Sequence, residues 1–364
     1  MSQFEIDPES IATPPERIAK VLEDPGFGRY FTDHMASATY TPDAGWQHLV
    51  IEQTKPFAMH PSAGVLHYGQ EIFEGLKAYR HDDGSVWLFR PGRNAERFAN
   101  SATRIAMAPL PPDLFVDAVT RLVDLDRDWV PAGSNEQSLY IRPFEIASEI
   151  FLGVRESHEY RFMVIASPVG PYYPDPVWLW ATPTYTRAAS GGTGAAKCGG
   201  NYAASLIAAD EAHEHGCQQV LWLDGAEHRW IEECGTMNIL FVTRDGELIT
   251  PDLRGTILDG ITRDSLLRLA PRHGLTPVER QIDIHEVSTR IASGEITEAL
   301  ACGTAAVVVP VVGFRRPGPT ADADDVTLPV AHATPGPKTL ALREHLLDIQ
   351  YGRAEDPFGW TVRV

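Results

Sequence analysis

A lysine lies between two glycine-rich runs in the stretch Ser190-Gly191-Gly192-Thr193-Gly194-Ala195-Ala196-Lys197-Cys198-Gly199-Gly200-Asn201-Tyr202. Of the 31 basic residues only four others are lysines, at Lys20, Lys55, Lys77 and Lys338. A lysine amine can lose its proton and form a Schiff base with a carbonyl, whereas a guanidinium cannot. Flanking glycines let the backbone and a ligand approach closely. The stretch therefore predicts a reactive amine at Lys197. Genomic base composition is the alternative explanation of why lysine is scarce.

The composition is that of a globular protein. The 364 residues, 43% apolar and 22% charged, fit two domains of ordinary size. The formal net charge of −18 argues against nucleic acid or an anionic membrane as a partner. Anionic ligands would therefore need local arginines and backbone N–H groups.

Targeting and cysteine patterns favour a cytoplasmic protein. No apolar stretch is long enough to span a bilayer, and the N-terminus lacks the pattern of a signal peptide. The four cysteines show no CxxC spacing, so we expect reduced thiols. No Cys or His cluster has metal-ligand spacing, and we predict no metal site. The cysteines are Cys198, Cys217, Cys234 and Cys302.

Periodicity predicts a mixed α/β (α+β) fold in two domains. The first half alternates strands and helices, and three prolines within residues 170–176 indicate a linker. We therefore predict a small domain at 1–169, the linker at 170–176 and a larger domain at 177–364. The predicted elements of the first half are strands at 85–89, 139–144 and 160–169 and a helix at 112–130.

In the second half, a helix is predicted from Tyr202 to about His215, with Asn201 as its N-cap and Gly216 at its end. Hairpins are predicted at Asp224-Gly225 and Asp245-Gly246. The other predicted elements are a strand at 177–181, a helix starting near Thr262, an apolar strand over 300–313 and a helix at 338–350.

Two segments could bind an anion. Gly260-Ile261-Thr262 precedes an apolar helix with Thr262 as a hydroxyl cap, and the N–H groups of such a terminus can hold a phosphate. An ordinary capped helix is the alternative. Gly303-Thr304-Ala305-Ala306 interrupts the apolar strand with a small turn that could present N–H groups, or could be a simple bulge.

Carboxylates and one cation occupy unusual positions. Glu232 and Glu233 end an apolar strand, and alternation points one of them inward, where a carboxylate must be paired. For Glu232 a solvated strand end is expected. Arg142 lies mid-strand and shares a face with Tyr140. It is either part of a substrate site with Tyr140 or one partner of a structural ion pair. The lysine stretch lacks the Gly-Lys-Ser/Thr order of a phosphate loop, and no GxGxxG or GxSxG motif is present.

Taken together, nine segments resemble the branched-chain amino acid aminotransferases of class IV, which have the fold of type IV pyridoxal phosphate enzymes. The similarity covers nearly the whole chain in the expected order. A set of this kind is far more specific than any single motif. The segments are residues 31–35, 67–70, 73–79, 88–91, 139–143, 197–202, 233–238, 260–263 and 301–305.

The resemblance implies a site for pyridoxal 5'-phosphate. Lys197 would bind the cofactor and move a proton during the reaction. Tyr202 would hydrogen-bond the phenolic oxygen, and Glu233 would pair with the pyridinium nitrogen. The phosphate would be held by Arg90, Ile261, Thr262 and Thr304.

The resemblance also implies a substrate pocket between the two domains. The substrate carboxylate would lie near Tyr68 and near the backbone at Thr304 and Ala305, with Thr236 also in contact. Phe27, Phe73, Tyr140 and Val154 would line an apolar side-chain pocket, and Arg142 would receive the γ-carboxylate of glutamate or 2-oxoglutarate.

The implied activity is transfer of the amino group of leucine, isoleucine or valine to 2-oxoglutarate by a homodimer. A D-amino acid transaminase or an aminodeoxychorismate lyase of the same fold is the near alternative. A more distant alternative is a protein that binds a cofactor or an anion without catalysis. Lys197 argues against it, because such a protein needs no amine that can lose its proton. Some family members carry a CxxC after the Gly-Thr-Ala turn. Here Ala306 and Val309 replace it, and Cys198 is interpreted as a small packing residue.

Overall fold

The computed structural model describes residues 3–7, 11–173, 175–318, 320, 323–330 and 335–364. Pro174 of the predicted linker lies outside these residues. The chain forms two units. The first unit runs to Tyr172 and also contains Ala196–Gly199 and Asp348–Val364. The second contains Tyr173–Ala195 and Gly200–Leu347.

The regular elements up to residue 169 all belong to the first unit. In chain order they are β1 (Glu5–Ile6), α1 (Pro15–Glu23), β2 (His34–Thr41), β3 (Gly45–Gln53), α2 (Gly64–Tyr68), β4 (Glu71–Phe73), β5 (Leu76–Arg80), β6 (Val86–Phe89), α3 (Pro91–Arg104), α4 (Pro112–Leu125), β7 (Ser138–Ala147) and β8 (Tyr160–Val169).

The remaining elements continue to the C-terminus. They are β9 (Val177–Ala181), α5 (Gly199–Ala203), α6 (Leu206–Glu214), β10 (Gln219–Leu223), β11 (Ile231–Cys234), β12 (Asn238–Thr243), β13 (Glu247–Thr250), α7 (Ile261–Leu269), β14 (Thr276–Glu279), α8 (Ile284–Ala292), β15 (Ile296–Gly303), β16 (Val307–Arg316), β17 (Val326–Pro329), α9 (Pro337–Gln350) and β18 (Thr361–Arg363). Short 3-10 helices occupy Arg127–Trp129, Ser134–Glu136 and Ala270–His273.

The sheet of the first unit has the strand order β1-β3-β2-β8-β7-β5-β6-β18, and β4 pairs with β7. Its central pair, β7 and β8, is antiparallel over ten residues of each strand. Helices α3 and α4 pack against it around Phe98, Phe115 and Phe162, which are at most 1% exposed. Burying each of these side chains contributes about 1.5–3 kcal/mol. The core therefore fixes β7, which carries Tyr140 and Arg142.

The sheet of the second unit has the order β11-β10-β9-β16-β15-β12-β13-β14, and β17 pairs with β16. β9 is parallel to both of its neighbours, β10 and β16. Leu179 on β9, Leu221 on β10 and Phe241 on β12 are fully buried. The arrangement brings β11, with Glu233, to one edge of the sheet.

Several strands were predicted correctly. The strands at 160–169 and 177–181 are confirmed to the residue. The apolar segment predicted over 300–313 belongs to two strands, and the small turn predicted within 303–306 is confirmed. β15 and β16 form an antiparallel hairpin, and the turn at Thr304–Ala306 separates them. Two β-strands of the same apolar character cannot be distinguished from one by periodicity.

Two helix starts also differ from prediction. The helix placed at Tyr202–His215 begins at Gly199 and divides into α5 and α6, so Asn201 lies inside α5 rather than at an N-cap. The cap of α7 is Gly260, and Thr262 lies within the helix. Gly216 does follow α6 in the left-handed region, at φ +67°. The helix predicted at 112–130 ends at Leu125.

The C-terminal segment joins the first unit, whereas the sequence assigned all of 177–364 to one domain. The reason is that β18 pairs antiparallel with β6, from Thr361 opposite Phe89 to Arg363 opposite Trp87. The domain boundaries given from the sequence stay a prediction. Among the described residues no helix is long and apolar enough to cross a membrane.

Candidate functional site

Strand β4 holds the backbone of the lysine segment. The N–H of Phe73 donates to the carbonyl of Lys197 at 3.0 Å, and Ile72 and Cys198 form an antiparallel bridge. On its other side the N–H of Lys197 donates to Oγ of Ser101 at 3.0 Å. Cys198 is 5% exposed and belongs to the core of the first unit, which agrees with a packing role. The position of Lys197 is thus fixed by two elements of one unit.

The amine of Lys197 lies beside an aromatic ring. Its Nζ is 4.7 Å from the centroid of Phe73, and the lysine side chain is half-buried. An aromatic face attracts a cation and covers the apolar stem of the lysine. The contact directs the amine along the face of β4 that also carries Glu71.

The residue after Phe73 is a fully buried carboxylate. Glu74 has 0% exposure, and Arg97 donates to it at 2.7 and 2.9 Å. Asn94 adds a 2.7 Å bond. Burial alone would raise the pKa of Glu74, but Arg97 and, more weakly, Lys197 outweigh it, so this pKa lies below its ordinary value. Sequence reasoning missed this pair, whose only signal was a carboxylate between Phe73 and Gly75.

Four residues predicted to contact substrate cluster in the first unit. The guanidinium of Arg142 lies 4.8 Å from the ring centroid of Phe73 and 5.4 Å from that of Tyr140. Nη2 of Arg142 donates to the hydroxyl of Tyr140 at 3.2 Å. The rings of Tyr140 and Phe27 are 5.3 Å apart. Because Phe73 also contacts Lys197, the cluster joins aromatic walls, one guanidinium and the amine.

Tyr68 and Val154 are exposed residues of the first unit. Val154 is 94% exposed and Tyr68 is 42% exposed. Tyr68 ends the short helix α2, with its ring 6.0 Å from that of Phe151. Their assignment to the substrate pocket stays a prediction.

Arg90 has an unusual backbone. It is the N-cap residue of α3 and has φ 51° and ψ 43°, a left-handed conformation that non-glycine residues rarely adopt. Its N–H donates to the carbonyl of Trp360 at 2.7 Å, and its guanidinium lies 5.0 Å from the centroid of the Trp360 ring. β18 and its neighbour Trp360 therefore set the direction of this arginine. Strained backbone of this kind concentrates at functional sites.

In the second unit the carboxylate of Glu233 is 2% exposed. Its Oε2 lies 2.8 Å from Nε of Arg187, and its Oε1 accepts a 2.6 Å bond from the N–H of Leu258. Arg187 also donates to the carbonyl of Thr256 at 2.8 Å. A buried carboxylate is tolerated when it is paired in this way. Sequence reasoning predicted Glu233 but missed Arg187.

Glu233 and Arg187 line a small pocket in the second unit. Tyr202 and Thr236 belong to the same lining. Nδ2 of Asn201 donates to the carbonyl of Thr193 at 2.9 Å, which attaches α5 to the loop before Lys197. The remaining lining residues are Asn201, Ser205, Gly235 and Leu258.

Glu232 is buried, at 6% exposure, so the expectation of a solvated strand end is wrong. Burial raises the pKa of Glu232, a hydrogen bond with Thr256 lowers it in part, and the charge of Glu233 raises it again. The loop that contains Thr256 contacts the edge strand β11, and alternation along the strand could not reveal this.

Two turns of the second unit carry the predicted anion-binding residues. Gly260 caps α7 without a side-chain hydrogen bond, and Ile261 and Thr262 form its first turn, each 6% exposed. A Cβ at Gly260 would lie 1.9 Å from Oδ1 of Asn238, so the tight approach requires glycine. Thr304 and Ala305 form the turn between β15 and β16. A helix N-terminus with exposed backbone donors favours an anion such as phosphate.

The predicted site residues divide between the units. The first unit carries Phe27, Tyr68, Phe73, Arg90, Tyr140, Arg142, Val154 and Lys197. The second unit carries Tyr202, Glu233, Thr236, Ile261, Thr262, Thr304 and Ala305.

Known proteins resemble this chain over most of its length. The family model described as amino-transferase class IV matches residues 71–314. A branched-chain-amino-acid aminotransferase from Mycolicibacterium smegmatis is 50% identical over 350 residues, covering 94% of this chain and 93% of that protein. Branched-chain-amino-acid transaminase 1 from Bacillus subtilis is 47% identical over 343 residues, covering 93% and 94%.

Solved structures share the fold. The branched-chain aminotransferase from Thermoproteus uzoniensis with norvaline has a TM-score of 0.72 and 25% identity, covering 91% of this chain and 99% of that one. The branched-chain amino acid aminotransferase from Escherichia coli has a TM-score of 0.69 and 25% identity, covering 90% and 98%. The likeness confirms the predicted mixed α/β fold of type IV.

Proposed function

The chain belongs to the class IV aminotransferase family, and from this premise we propose that it transfers the amino group of L-leucine, L-isoleucine or L-valine to 2-oxoglutarate. The reaction is reversible and proceeds in two half-reactions. The names of its relatives support the branched-chain substrates and disfavour a D-amino acid transaminase or an aminodeoxychorismate lyase. The observation that carries the proposal is the buried carboxylate of Glu233, fixed by Arg187 in a pocket that Tyr202 also lines.

The residues present fit pyridoxal 5'-phosphate. A buried carboxylate with one cationic partner suits a protonated ring nitrogen, and Glu233 is of this kind. The phenol of Tyr202 offers a donor on the same pocket. Arg90, Thr304 and the N-terminus of α7 at Ile261 and Thr262 would hold the phosphate. When bound, the cofactor withdraws electrons from the substrate Cα and carries the amino group between the half-reactions.

Lys197 would carry the proton transfer. Its Nζ, seated beside Phe73, would take the proton from Cα of the amino acid, and the resulting ammonium group would later donate that proton. A lysine amine is suited to this because burial and neighbouring charges readily shift its pKa. Glu233 keeps a positive charge on the ring nitrogen, so its loss should slow proton abstraction more than it weakens substrate binding.

The aromatic cluster would select the substrate side chain. Phe27, Phe73 and Tyr140 offer apolar surface to a branched aliphatic chain. Arg142 and the hydroxyl of Tyr140, 3.2 Å apart, offer donors to the γ-carboxylate of glutamate. The α-carboxylate would bind near Tyr68, Thr236 and the turn at Thr304 and Ala305, with Val154 at the rim.

We also propose that the protein acts as a homodimer in the cytoplasm. An apolar set on the surface of the first unit supports association, because exposed patches of this kind mark interfaces. All four cysteines are unpaired and buried, which suits a reducing compartment. The exposed set consists of Leu66, Tyr68, Ile150, Leu152 and Val154.

An amino-donor panel tests the proposed reaction. The cofactor-loaded protein is supplied with 2-oxoglutarate and with L-leucine, L-isoleucine, L-valine or D-alanine, and glutamate formation is measured. We expect turnover with the three L-amino acids and none with D-alanine. Turnover with D-alanine alone would identify the D-specific relative, and full activity of Lys197→Ala would refute the proposed role of the lysine.

A further inference from the structure

Arg142 has spare hydrogen-bonding capacity and no carboxylate within ion-pair distance among the residues that the structure describes. Among the described residues its side chain donates one hydrogen bond, to the hydroxyl of Tyr140 at 3.2 Å, and its guanidinium also lies against the rings of Phe73 and Tyr140. Its Nε is buried without a hydrogen-bond partner. A half-buried cation beside an aliphatic side chain is unfavourable unless a counter-charge lies nearby.

Glu71 supplies such a charge. It lies two residues before Phe73 on β4, so both side chains project from the same face of the strand. β4 pairs with β7, the strand of Arg142, with Glu71 opposite Ile146 and Phe73 opposite Phe144. Glu71 is half-buried. Its carboxylate therefore borders the cluster that would receive the substrate side chain.

The lysine segment fixes the carboxylate of Glu71. The backbone N–H of Gly199 donates to it, and a Cβ at Gly199 would lie only 1.6 Å from its Oε1. A glycine at this position leaves the space that the carboxylate occupies. Gly199 thus places Glu71 between the segment of Lys197 and the strand of Arg142.

Of the cations near β4, Arg97 and Lys197 act on a different carboxylate, that of Glu74. From β7 Arg142 attracts the carboxylate of Glu71. From the lysine segment Lys197 lies beside Phe73. From α3 Arg97 is bound by Glu74. Arg142 is therefore the cation whose charge Glu71 can balance.

We propose that Glu71 is the counter-charge of Arg142 and sets the preference of the side-chain pocket between aliphatic and carboxylate side chains. The inference rests on the proposed function and adds a specificity-determining residue to it. With an aliphatic chain bound, Glu71 balances the guanidinium. With a γ-carboxylate bound, Arg142 binds that carboxylate, and Glu71 weakens its binding by like-charge repulsion.

The protonation of Glu71 agrees with this role. Burial raises the pKa of Glu71, while the N–H of Gly199 and the charge of Arg142 lower it only in part. A second carboxylate beside Arg142 would raise this pKa further. Glu71 can therefore become neutral when a dicarboxylate occupies the pocket, and one site can accept both side-chain types.

Two unreactive ligands test the proposal by calorimetry on the cofactor-loaded protein. Glutarate carries the second carboxylate, and 4-methylvalerate carries the aliphatic chain. We expect Glu71→Gln to bind glutarate more tightly and 4-methylvalerate more weakly. The ratio of the two Kd values, 4-methylvalerate over glutarate, should rise roughly tenfold, equivalent to about 1.4 kcal/mol.

Two further variants serve as controls. Glu71→Asp keeps the charge and should keep the wild-type ratio within about threefold. Glu96→Gln makes the same chemical change at an exposed residue that pairs with Arg93, and it should leave the ratio unchanged. If Glu71→Gln does not fold, Glu71→Ser removes the same charge. A ratio raised in Glu71→Ser and unchanged in Glu71→Asp decides in favour of the pair, and an unshifted ratio in Glu71→Ser decides against it.

The proposed function has its own readout. Adding L-leucine to the loaded wild-type protein should change the absorption spectrum of the cofactor. If it does, and the Kd ratio of Glu71→Gln stays within about twofold of wild type, the role of Glu71 is wrong and the function stands. If leucine changes nothing, the proposed function itself fails.

Discussion

Nε of Arg187 lies 2.8 Å from Oε2 of Glu233, and both side chains are almost fully buried. The same guanidinium binds the carbonyl of Thr256 and lies 3.4 Å from that of Gly194, three residues before Lys197. One arginine thus joins the carboxylate of the candidate site to the loop that leads to Lys197. Buried pairs of this kind fix geometry more surely than they add stability.

Replacing Arg187 should therefore affect both folding and the site. We expect Arg187→Ala to lower the free energy of unfolding by about 3–5 kcal/mol, because Glu233 would stay buried without its cation. Cofactor retention should fall in parallel. Urea denaturation and the cofactor content of the purified protein measure the two effects.

Arg254→Ala is the matched control, because Arg254 pairs with Asp252 at the surface of the same unit. Exposed pairs contribute little, so its urea midpoint should stay close to wild type. An equal loss of unfolding free energy and of cofactor in both variants would contradict a special role for the Arg187–Glu233 pair.

Gly75 makes room for Tyr140. A Cβ at Gly75 would lie 2.2 Å from the hydroxyl oxygen of Tyr140, whereas a Cβ at Gly92 in α3 would meet nothing within 4 Å. We expect Gly75→Ala to displace Tyr140 and to raise KM for leucine by about tenfold or more, since misplaced binding groups reduce catalysis strongly. Gly92→Ala should keep KM and gain about 0.5–1 kcal/mol of stability. Steady-state kinetics on both variants measure these effects. An unchanged KM for leucine in Gly75→Ala would show that Gly75 does not position Tyr140.

His34 and Asp126 form a buried pair, with Nδ1 2.5 Å from Oδ1. The hydrogen bond to Asp126 raises the pKa of His34 above 6.5, against the opposing effect of burial. Its contribution to stability is therefore complete below about pH 6.5, the pKa of an unfolded histidine. It is lost as the pH rises through the folded value.

Thermal unfolding between pH 5 and 9 checks this dependence. The wild-type midpoint should fall across the upper part of the range, and Asp126→Asn should lower stability by about 3–5 kcal/mol at low pH and flatten the curve. A wild-type curve that parallels that of Asp126→Asn would contradict the linkage.

Glu145 is a buried carboxyl without a counter-charge. Neither of its oxygens has a hydrogen-bond partner among the described residues, and burial raises its pKa well above 4.5. Such a group makes the folded state hold a proton that the unfolded chain releases, so it lowers stability increasingly as the pH rises above 4.5.

Glu145→Met should remove this cost. We expect a gain of about 1–3 kcal/mol at pH 7.5, the cost of an unsatisfied buried polar group. The gain should shrink toward pH 4. Denaturant curves at the two pH values measure it, and a destabilised variant at pH 7.5 would show that Glu145 has a stabilising partner.

Local signals in the sequence were enough to predict several strands correctly. Residues 160–169 form β8 because a long run of aromatic and branched residues permits little else. The glycines around Lys197 predicted its amine, whereas alternation along β11 left Glu232 and Glu233 undecided and the family resemblance selected Glu233. The strand and amine predictions use neighbours within about ten residues.

What the sequence could not predict depends on distant contacts. Arg187 meets Glu233 only because β9 and β10 pair in parallel and bring the loop after β9 toward β11. Glu232 is buried by a loop that lies more than twenty residues away along the chain, through Thr256. Trp360 directs Arg90 from the far end of the sequence. No local pattern carries information about such pairs.

The role of Lys197 is the central claim, and chemical trapping tests it most directly. The cofactor-loaded protein is reduced with borohydride, digested and examined by mass spectrometry for a phosphopyridoxyl group on lysine. We predict the group on the peptide of Lys197, and its loss when L-leucine is added before reduction. The label on Lys20, Lys55, Lys77 or Lys338 instead, or on no lysine, would contradict the account.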